Sequence, residues 1–271
     1  MADLDAARRR YAEAIARREH IASVPLLRAL GTVPRERFLK SGPWRIRTDG
    51  GQAYRLTASA DPRHLYADVL VAIDARRRLD TGLPSLWAYF LDALAIAEGE
   101  RVIQIGCGLG YYTAILAEMV GRKGKVLALD SDKTLAARAA ANLRDYGNVT
   151  VVGGDACRKV EGRADVVIAH AGFTSPQQLW LRSLRADGRL LLPLTGQDRH
   201  GIVVRITRHG DTFEAEAIRR IKIFPGQGRG TTALEARVTD WWERALALGP
   251  LRFRSLEQGL PSERALSRRR S

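Results

Sequence analysis

Ile105-Gly106-Cys107-Gly108-Leu109-Gly110-Tyr111-Tyr112 is the stretch that decides the fold. It follows the short apolar run Arg101–Gly106 and opens a helical pattern over Tyr112–Val120. Glycines between a strand and a helix let the backbone turn sharply and approach a ligand that a side chain would hold off. The helix start adds free N–H donors and the positive end of its dipole, a setting for a pyrophosphate or an amino-acid carboxylate.

Outward from this turn, strand and helix patterns alternate. Lys125–Asp130 is the next strand and Leu135–Tyr146 the next helix. Val149–Val152, Asp165–Ala169 and Arg189–Leu194 are further apolar runs, with Leu179–Leu184 helical between the last two. Such alternation predicts an α/β fold of Rossmann-like type, a mostly parallel sheet with helices on both faces. After Gly196 the alternation stops. Ile202–Thr207 and Thr212–Phe224 read as antiparallel strands, and Thr232–Leu248 as a closing helix anchored by Trp241–Trp242.

Upstream, Asp3 to about Leu39 is helical, Ser41–Ala60 is loop and short strand, His64–Asp80 is ambiguous, and Pro84–Ala97 is helical. The expected organisation is an extension over 1–83 that caps the acceptor site and a cofactor-binding core over 84–200. Strands and a helix over 201–260 complete the domain, and a disordered basic tail runs over 261–271.

The chain has 271 residues, 45% of them hydrophobic, and a formal charge of +14. No apolar run is long enough to span a membrane, and the charged, Ala-rich start has no secretory core. Two cysteines, Cys107 and Cys157, make neither a disulfide framework nor a metal cluster. A cytoplasmic protein without metal is expected. The positive charge admits nucleic acid or acidic peptide partners. It is carried mostly by scattered arginines, with dense runs only at Arg8–Arg10, Arg76–Arg78 and Arg268–Arg270.

Three features specify the nucleoside site. The dinucleotide fingerprint GxGxxG would put its third glycine at Tyr111, so it is broken. The spacing is GxGxG, which resembles the glycine loop of class I methyltransferases. Asp130 closes the next strand, where a carboxylate accepts bonds from both ribose hydroxyls. Gly153-Gly154-Asp155-Ala156 follows the third strand, and in methyltransferases an acidic residue there faces the adenine amino group.

Val33-Pro34-Arg35-Glu36-Arg37-Phe38 resembles the VPRExF segment of the protein-L-isoaspartate O-methyltransferases. Ile105–Ala117, with its Tyr-x-Thr-Ala after the glycines, is similar to that family's core, and Asp187-Gly188-Arg189-Leu190 with Pro193 to its closing GGRLxxPxG pattern. The resemblance covers residues 1–40 and 84–196. It implies S-adenosylmethionine as cofactor, held by Gly106, Cys107, Gly108, Gly110, Tyr111, Asp130, Ser131, Asp155, Ala156 and Ala171. It also implies methyl transfer to a carboxylate of a peptide or protein.

The departures concern the acceptor. The family's GQTIS-type loop falls on Arg78–Gly82, so its hydroxyl position falls on Gly82. Thr81 and Ser85 are the hydroxyls nearest to it, as acceptor-site groups or as caps of the following helix. His170, at the carboxyl end of the fourth strand, lines the site, serves as a base, or is structural. Tyr111 and Tyr112 cover the cofactor or pack, and Arg76–Arg78 attracts an acidic peptide or is a solvated face. Two other functions stay open. The charge favours an RNA (tRNA) methyltransferase, although there is no (D/N)PPY motif, PC motif or appended RNA-binding module. The altered loop motivates a non-catalytic cofactor- or peptide-binding homologue. No membrane partner is expected, and the oligomeric state is left open.

Overall fold

The computed structural model describes residues 2–51, 53–74, 76–77, 79–195, 200–222 and 233–262. The chain forms two compact, interleaved units: Met1–Gly99, Cys107–Gly124 and Thr134–Val149 in one, and Glu100–Gly106, Lys125–Lys133 and Thr150–Ser271 in the other.

The first unit begins with helix α1 (Ala2–Glu19), whose acidic first turn (Asp3, Asp5) and basic last turn (Arg17, Arg18) match the helix dipole. The helical pattern that the sequence shows to Leu39 breaks at His20, where φ is 54°. It resumes as α2 (Val24–Thr32), capped by the Ser23 hydroxyl on the Leu26 amide at 3.3 Å. Arg35–Phe38 then forms a 3-10 turn. Ser41–Ala60, expected to be loop and short strand, carries two short strands, and the ambiguous stretch His64–Asp80 adds two more to form a small sheet. β1 (Arg45–Thr48), β2 (Arg55–Leu56), β3 (Val69–Asp74) and β4 (Leu79–Asp80) pair in the order β2-β1-β3-β4, all antiparallel. One face buries Ile46, Val69 and Val71 with Trp44 and Leu65. Helix α3 (Pro84–Ala93) stops short of the expected Ala97 because Ala95 is left-handed, at φ 47°. Helix α4 (Tyr111–Val120) is buried along most of its length and packs on α2, and α5 (Lys133–Asn142) completes the unit.

Arg35 joins these pieces. It is 2% exposed, and its Nη1 donates to the Leu65 and Ala67 carbonyls at 2.5 and 3.1 Å. Its Nη2 donates to the Val69 carbonyl at 3.1 Å. The guanidinium carbon lies 5.6 Å from the ring centres of both Tyr11 on α1 and Tyr111 on α4. A buried charge is tolerated only when paired or fully hydrogen-bonded, and carbonyls and ring faces do that here.

The second unit is built on an eight-stranded sheet. Its strands are β5 (Arg101–Ile105), β6 (Lys125–Asp130), β7 (Val149–Gly153), β8 (Ala164–Ala169), β9 (Leu184–Thr195), β10 (His200–His209), β11 (Thr212–Lys222) and β12 (Leu251–Phe253), in the order β12-β11-β10-β9-β8-β5-β6-β7. β6, β5, β8 and β9 are parallel neighbours, and β9 to β12 are antiparallel. Val102 through Ile105 and Val166 through Ala169 are buried, which is why those runs read as continuously apolar. β9 starts earlier than the sequence indicates: it passes Asp187 (φ 57°) and Gly188 through a register shift that reads as a turn. Helix α6 (Gln178–Ser183) packs on β8 and β9, and α7 (Ala233–Ala247) on β10 and β11. Trp242 of α7 is fully buried and its Nε1 donates to the Gly259 carbonyl at 2.8 Å. The hairpin β13 (Leu256–Glu257) and β14 (Leu260–Pro261) reaches into the expected tail, the rest of which lies outside the described residues, as do Phe224 and Thr232. Among the described residues no helix is long and apolar enough to cross a membrane.

Arg35→Lys keeps the charge but loses the planar fork that reaches three carbonyls. It is expected to lower stability by roughly 1–3 kcal/mol, read as a shifted urea midpoint. An unchanged midpoint would remove Arg35 as the clamp of this unit.

Candidate cofactor and acceptor site

In the second unit, the carboxyl ends of β5 to β8 are stitched into one edge. The Gly106 amide donates to the Leu129 carbonyl at 2.8 Å, Gly154 to Asp130 at 2.9 Å and His170 to Ile105 at 2.8 Å. This brings Gly106, Asp130, Asp155 and His170 to successive strand ends, where open α/β sheets bind ligands. Asp130 is 8% exposed and its Oδ1 accepts from the Asp132 amide at 3.0 Å. Asp155 is exposed, with Oδ1 accepting from the Cys157 amide at 2.9 Å. Ser131 is exposed, Ala171 half-buried, and Ala156 buried, its carbonyl taken by Trp180 Nε1 at 2.8 Å.

In the first unit, the turn runs from Cys107 to the cap of α4 at Gly110. The Gly110 amide donates to the Cys107 carbonyl at 2.9 Å, and Asn142 on α5 donates to the Leu109 carbonyl at 2.9 Å. Gly108 and Gly110 are left-handed, at φ 58° and 94°, and are glycines for different reasons. A Cβ on Gly110 would lie 2.8 Å from Leu143 Cδ1, so that glycine permits close packing of the turn on the chain leaving α5. A Cβ on Gly108 would meet nothing within 4 Å, so that position faces open space. Gly154, in the second unit, is equally open. Within the first unit the open Gly108 and a helix start without a side-chain cap suit an amino-acid carboxylate, and within the second the buried Asp130 and the open Gly154 suit a nucleoside. Cys107 and Tyr111 are buried, and Tyr112 packs beside Tyr111 and Trp87, so both tyrosines act as core. Burial pushes both phenols well above their usual range, and they are neutral at pH 7.

Of the acceptor candidates, Thr81 and Ser85 lie in the first unit. The Thr81 hydroxyl accepts from the Val71 amide at 3.1 Å and donates to the Gly82 carbonyl at 3.3 Å, so it belongs to the β3–β4 hairpin. Ser85 is 1% exposed. Neither caps α3. That task falls to Asp68, whose Oδ1 accepts from the Ser85 amide at 2.8 Å while Oδ2 pairs with Arg18 at 2.9 Å. Gly82 has φ 75°, and a Cβ there would stand 2.3 Å from Trp87 Nε1. The indole thus fills the space a side chain at residue 82 needs. The Asp68 cap escapes sequence reading because Asp68 lies 17 residues from Ser85 in the chain.

His170 lies in the second unit. The residue keeps some exposure, but its Nε2 is enclosed, and desolvation depresses its pKa to about 3. At neutral pH it is an uncharged ring and a weak base, so the geometry favours a lining role over proton abstraction.

Two outcomes are expected. Gly108→Ala carries only the left-handed backbone strain of about 1–2 kcal/mol and loses affinity for S-adenosylhomocysteine, whereas Gly110→Ala loses more stability through its clash with Leu143; calorimetric titration and thermal melts on both variants read this. The His170 ring resonances stay constant from pH 8 to 5. Because the folded pKa is depressed, protons bind preferentially to the unfolded chain below about 6.5. This histidine therefore costs nothing above neutrality and lowers stability as pH falls from 6.5 toward 3. A ring that titrates near pH 6.5 would contradict its burial.

Comparison with known proteins places the chain beside one family over most of its length. The family model for protein-L-isoaspartate(D-aspartate) O-methyltransferase matches residues 12–227. The Bradyrhizobium sp. (strain ORS 278) protein-L-isoaspartate O-methyltransferase is 31% identical over 217 residues, covering 78% of this chain and 89% of that protein. The Pyrobaculum neutrophilum enzyme of the same name is 28% identical over 222 residues, covering 80% of this chain and 97% of its own. Among solved structures, a protein-L-isoaspartate O-methyltransferase superimposes with a TM-score of 0.69 at 23% identity, covering 82% of this chain and 66% of that one. A Plasmodium falciparum protein described as the same kind of enzyme, in complex with S-adenosyl-L-homocysteine, gives a TM-score of 0.65 at 17% identity, covering 82% of this chain and 99% of that one.

Proposed function

The chain belongs to the protein-L-isoaspartate(D-aspartate) O-methyltransferase family of S-adenosylmethionine-dependent enzymes, and on that premise we propose how its residues divide the work of methylating a peptide carboxylate. The observation that carries the reading is the row of strand ends Gly106, Asp130 and Asp155, together with the open glycine Gly108. Asp130 would hold the ribose hydroxyls and Asp155 the adenine amino group. Gly106, Cys107, Gly108, Gly110 and Tyr111 would supply backbone at the amino-acid end, with Ser131, Ala156 and Ala171 beside the nucleoside.

When bound, the cofactor would supply a sulfonium-activated methyl group open to in-line attack by an acceptor oxygen, with the neutral thioether S-adenosylhomocysteine as the leaving group. The acceptor carboxylate is ionised at neutral pH, since its reference pKa is about 4. The protein therefore needs no general base, which agrees with a neutral His170 and neutral tyrosines. What remains for the chain is to position the oxygen and exclude water. Ser85 and the hairpin around Thr81 would shape the acceptor side, His170 would wall it, and Trp87 would replace a side chain at residue 82. The proposed acceptor is an isoaspartyl carboxylate of a peptide or protein. A cytoplasmic setting goes with this reading, supported by Cys107 and Cys157, neither of which is in a disulfide.

The test is transfer of labelled methyl to an isoaspartyl peptide, its aspartyl twin and tRNA in parallel. Base-labile label on the isoaspartyl peptide alone is expected, and Asp130→Ala should raise the KM for S-adenosylmethionine roughly 10- to 100-fold through lost charge-assisted bonds. Label on tRNA, or cofactor binding with no peptide labelled, would overturn the carboxylate acceptor.

A further inference from the structure

A cleft of about 330 Å³ lies within the first unit, lined by the chain after the Arg35–Phe38 turn, the β1–β2 hairpin, β3, the glycine turn and α5. Its lining combines three cations, Lys40, Arg45 and Arg138, with Trp44, Leu56 and Leu109, and holds no carboxylate. Among the described residues none of these three cations forms an ion pair, whereas Arg8, Arg18, Arg37 and Arg63 of the same unit are paired. Leu56 is 57% exposed, one of few large apolar side chains left in solvent. Leu109 belongs to the glycine turn itself, and Asn142 fixes its carbonyl at 2.9 Å.

From this combination we infer that the cleft docks an acidic stretch of the acceptor polypeptide, with carboxylates next to the methylated residue paired to Lys40, Arg45 and Arg138 and a neighbouring apolar side chain seated on Leu56. The inference rests on the carboxyl-methylation reading and names the substrate class. Unpaired cations around a concave, partly apolar lining attract a chain that is both anionic and amphipathic. A nucleic-acid strand suits it less well. Single strands are held by rings free to stack on bases, and Trp44 is 8% exposed with its Nε1 tied to the Lys40 carbonyl at 2.8 Å. Contacts of exposed charges are individually weak, so the three together should give a preference of about tenfold.

The experiment is fluorescence anisotropy with a labelled isoaspartyl peptide flanked by glutamates and a leucine, against its glutamine-flanked twin. Wild type should bind the acidic peptide about tenfold tighter at low salt, with the preference shrinking as salt rises. The combined variant Lys40→Gln, Arg45→Gln, Arg138→Gln should lose the preference while keeping its melting temperature and its affinity for S-adenosylhomocysteine. The Lys40→Arg, Arg45→Lys, Arg138→Lys variant should retain it. No preference in wild type, a preference that survives the glutamine variant, or tighter binding of a tRNA fragment through the same three residues would overturn the inference. The two readings fail separately. Salt-dependent peptide binding without methyl transfer to any peptide sinks the function and leaves the docking surface. Methylation indifferent to flanking charge sinks the docking surface alone.

Discussion

A single buried guanidinium holds the first unit in register. Arg35 sits between the rings of Tyr11 and Tyr111 and bonds the carbonyls of Leu65, Ala67 and Val69. It thereby joins three pieces at one point: the first helix, the entry to β3, and the first turn of the helix that follows the glycines. An apolar residue could fill the same volume but would take the guanidinium donor from the buried Leu65 and Val69 carbonyls, which costs more than the packing returns. Glu36, next in the chain, extends the cluster by accepting from Tyr66, which also accepts from Arg8 at 2.9 Å.

The glycine turn leads directly into the helix whose first residue, Tyr111, Arg35 holds. Its glycines divide their duties: Gly110 lets the backbone approach Leu143, and Gly108 keeps space clear. In the second unit the hydrogen bonds among Gly106, Leu129, Asp130, Gly154, Ile105 and His170 align the strand ends. The acidic residues there project from a rigid edge, as preorganised binding requires. The region of the acceptor candidates is built differently. Trp87 fills the space beside Gly82 and Thr81 is committed to the hairpin.

The α/β core was legible because its signals are local. Glycine spacing, a carboxylate closing the next strand and continuous apolar runs each lie within a few residues of what they specify. The small sheet of the first unit was not. Its strands have two to six residues, too few to display a period, and they are defined by pairings such as Arg45 with Leu56 and Ile46 with Val71. Thr81 and Ser85 could be found as hydroxyls in the sequence, but their surroundings depend on Val71 and Asp68, ten and 17 residues away. Likewise, Lys40, Arg45 and Arg138 are unremarkable in a chain rich in arginine until folding gathers them in one cleft.

The central claim is that the cofactor-binding half is intact and that, in the first unit, Arg35 ties its glycine turn to the N-terminal elements. Amide hydrogen exchange with and without S-adenosylhomocysteine tests this most directly. The account predicts added protection at Gly106–Tyr112, at Asp130–Asp132 and at Asp155–Cys157, spreading within the first unit to the Leu65–Val69 amides that flank Arg35. Protection absent from the glycine turn, or confined to segments outside these, would contradict it.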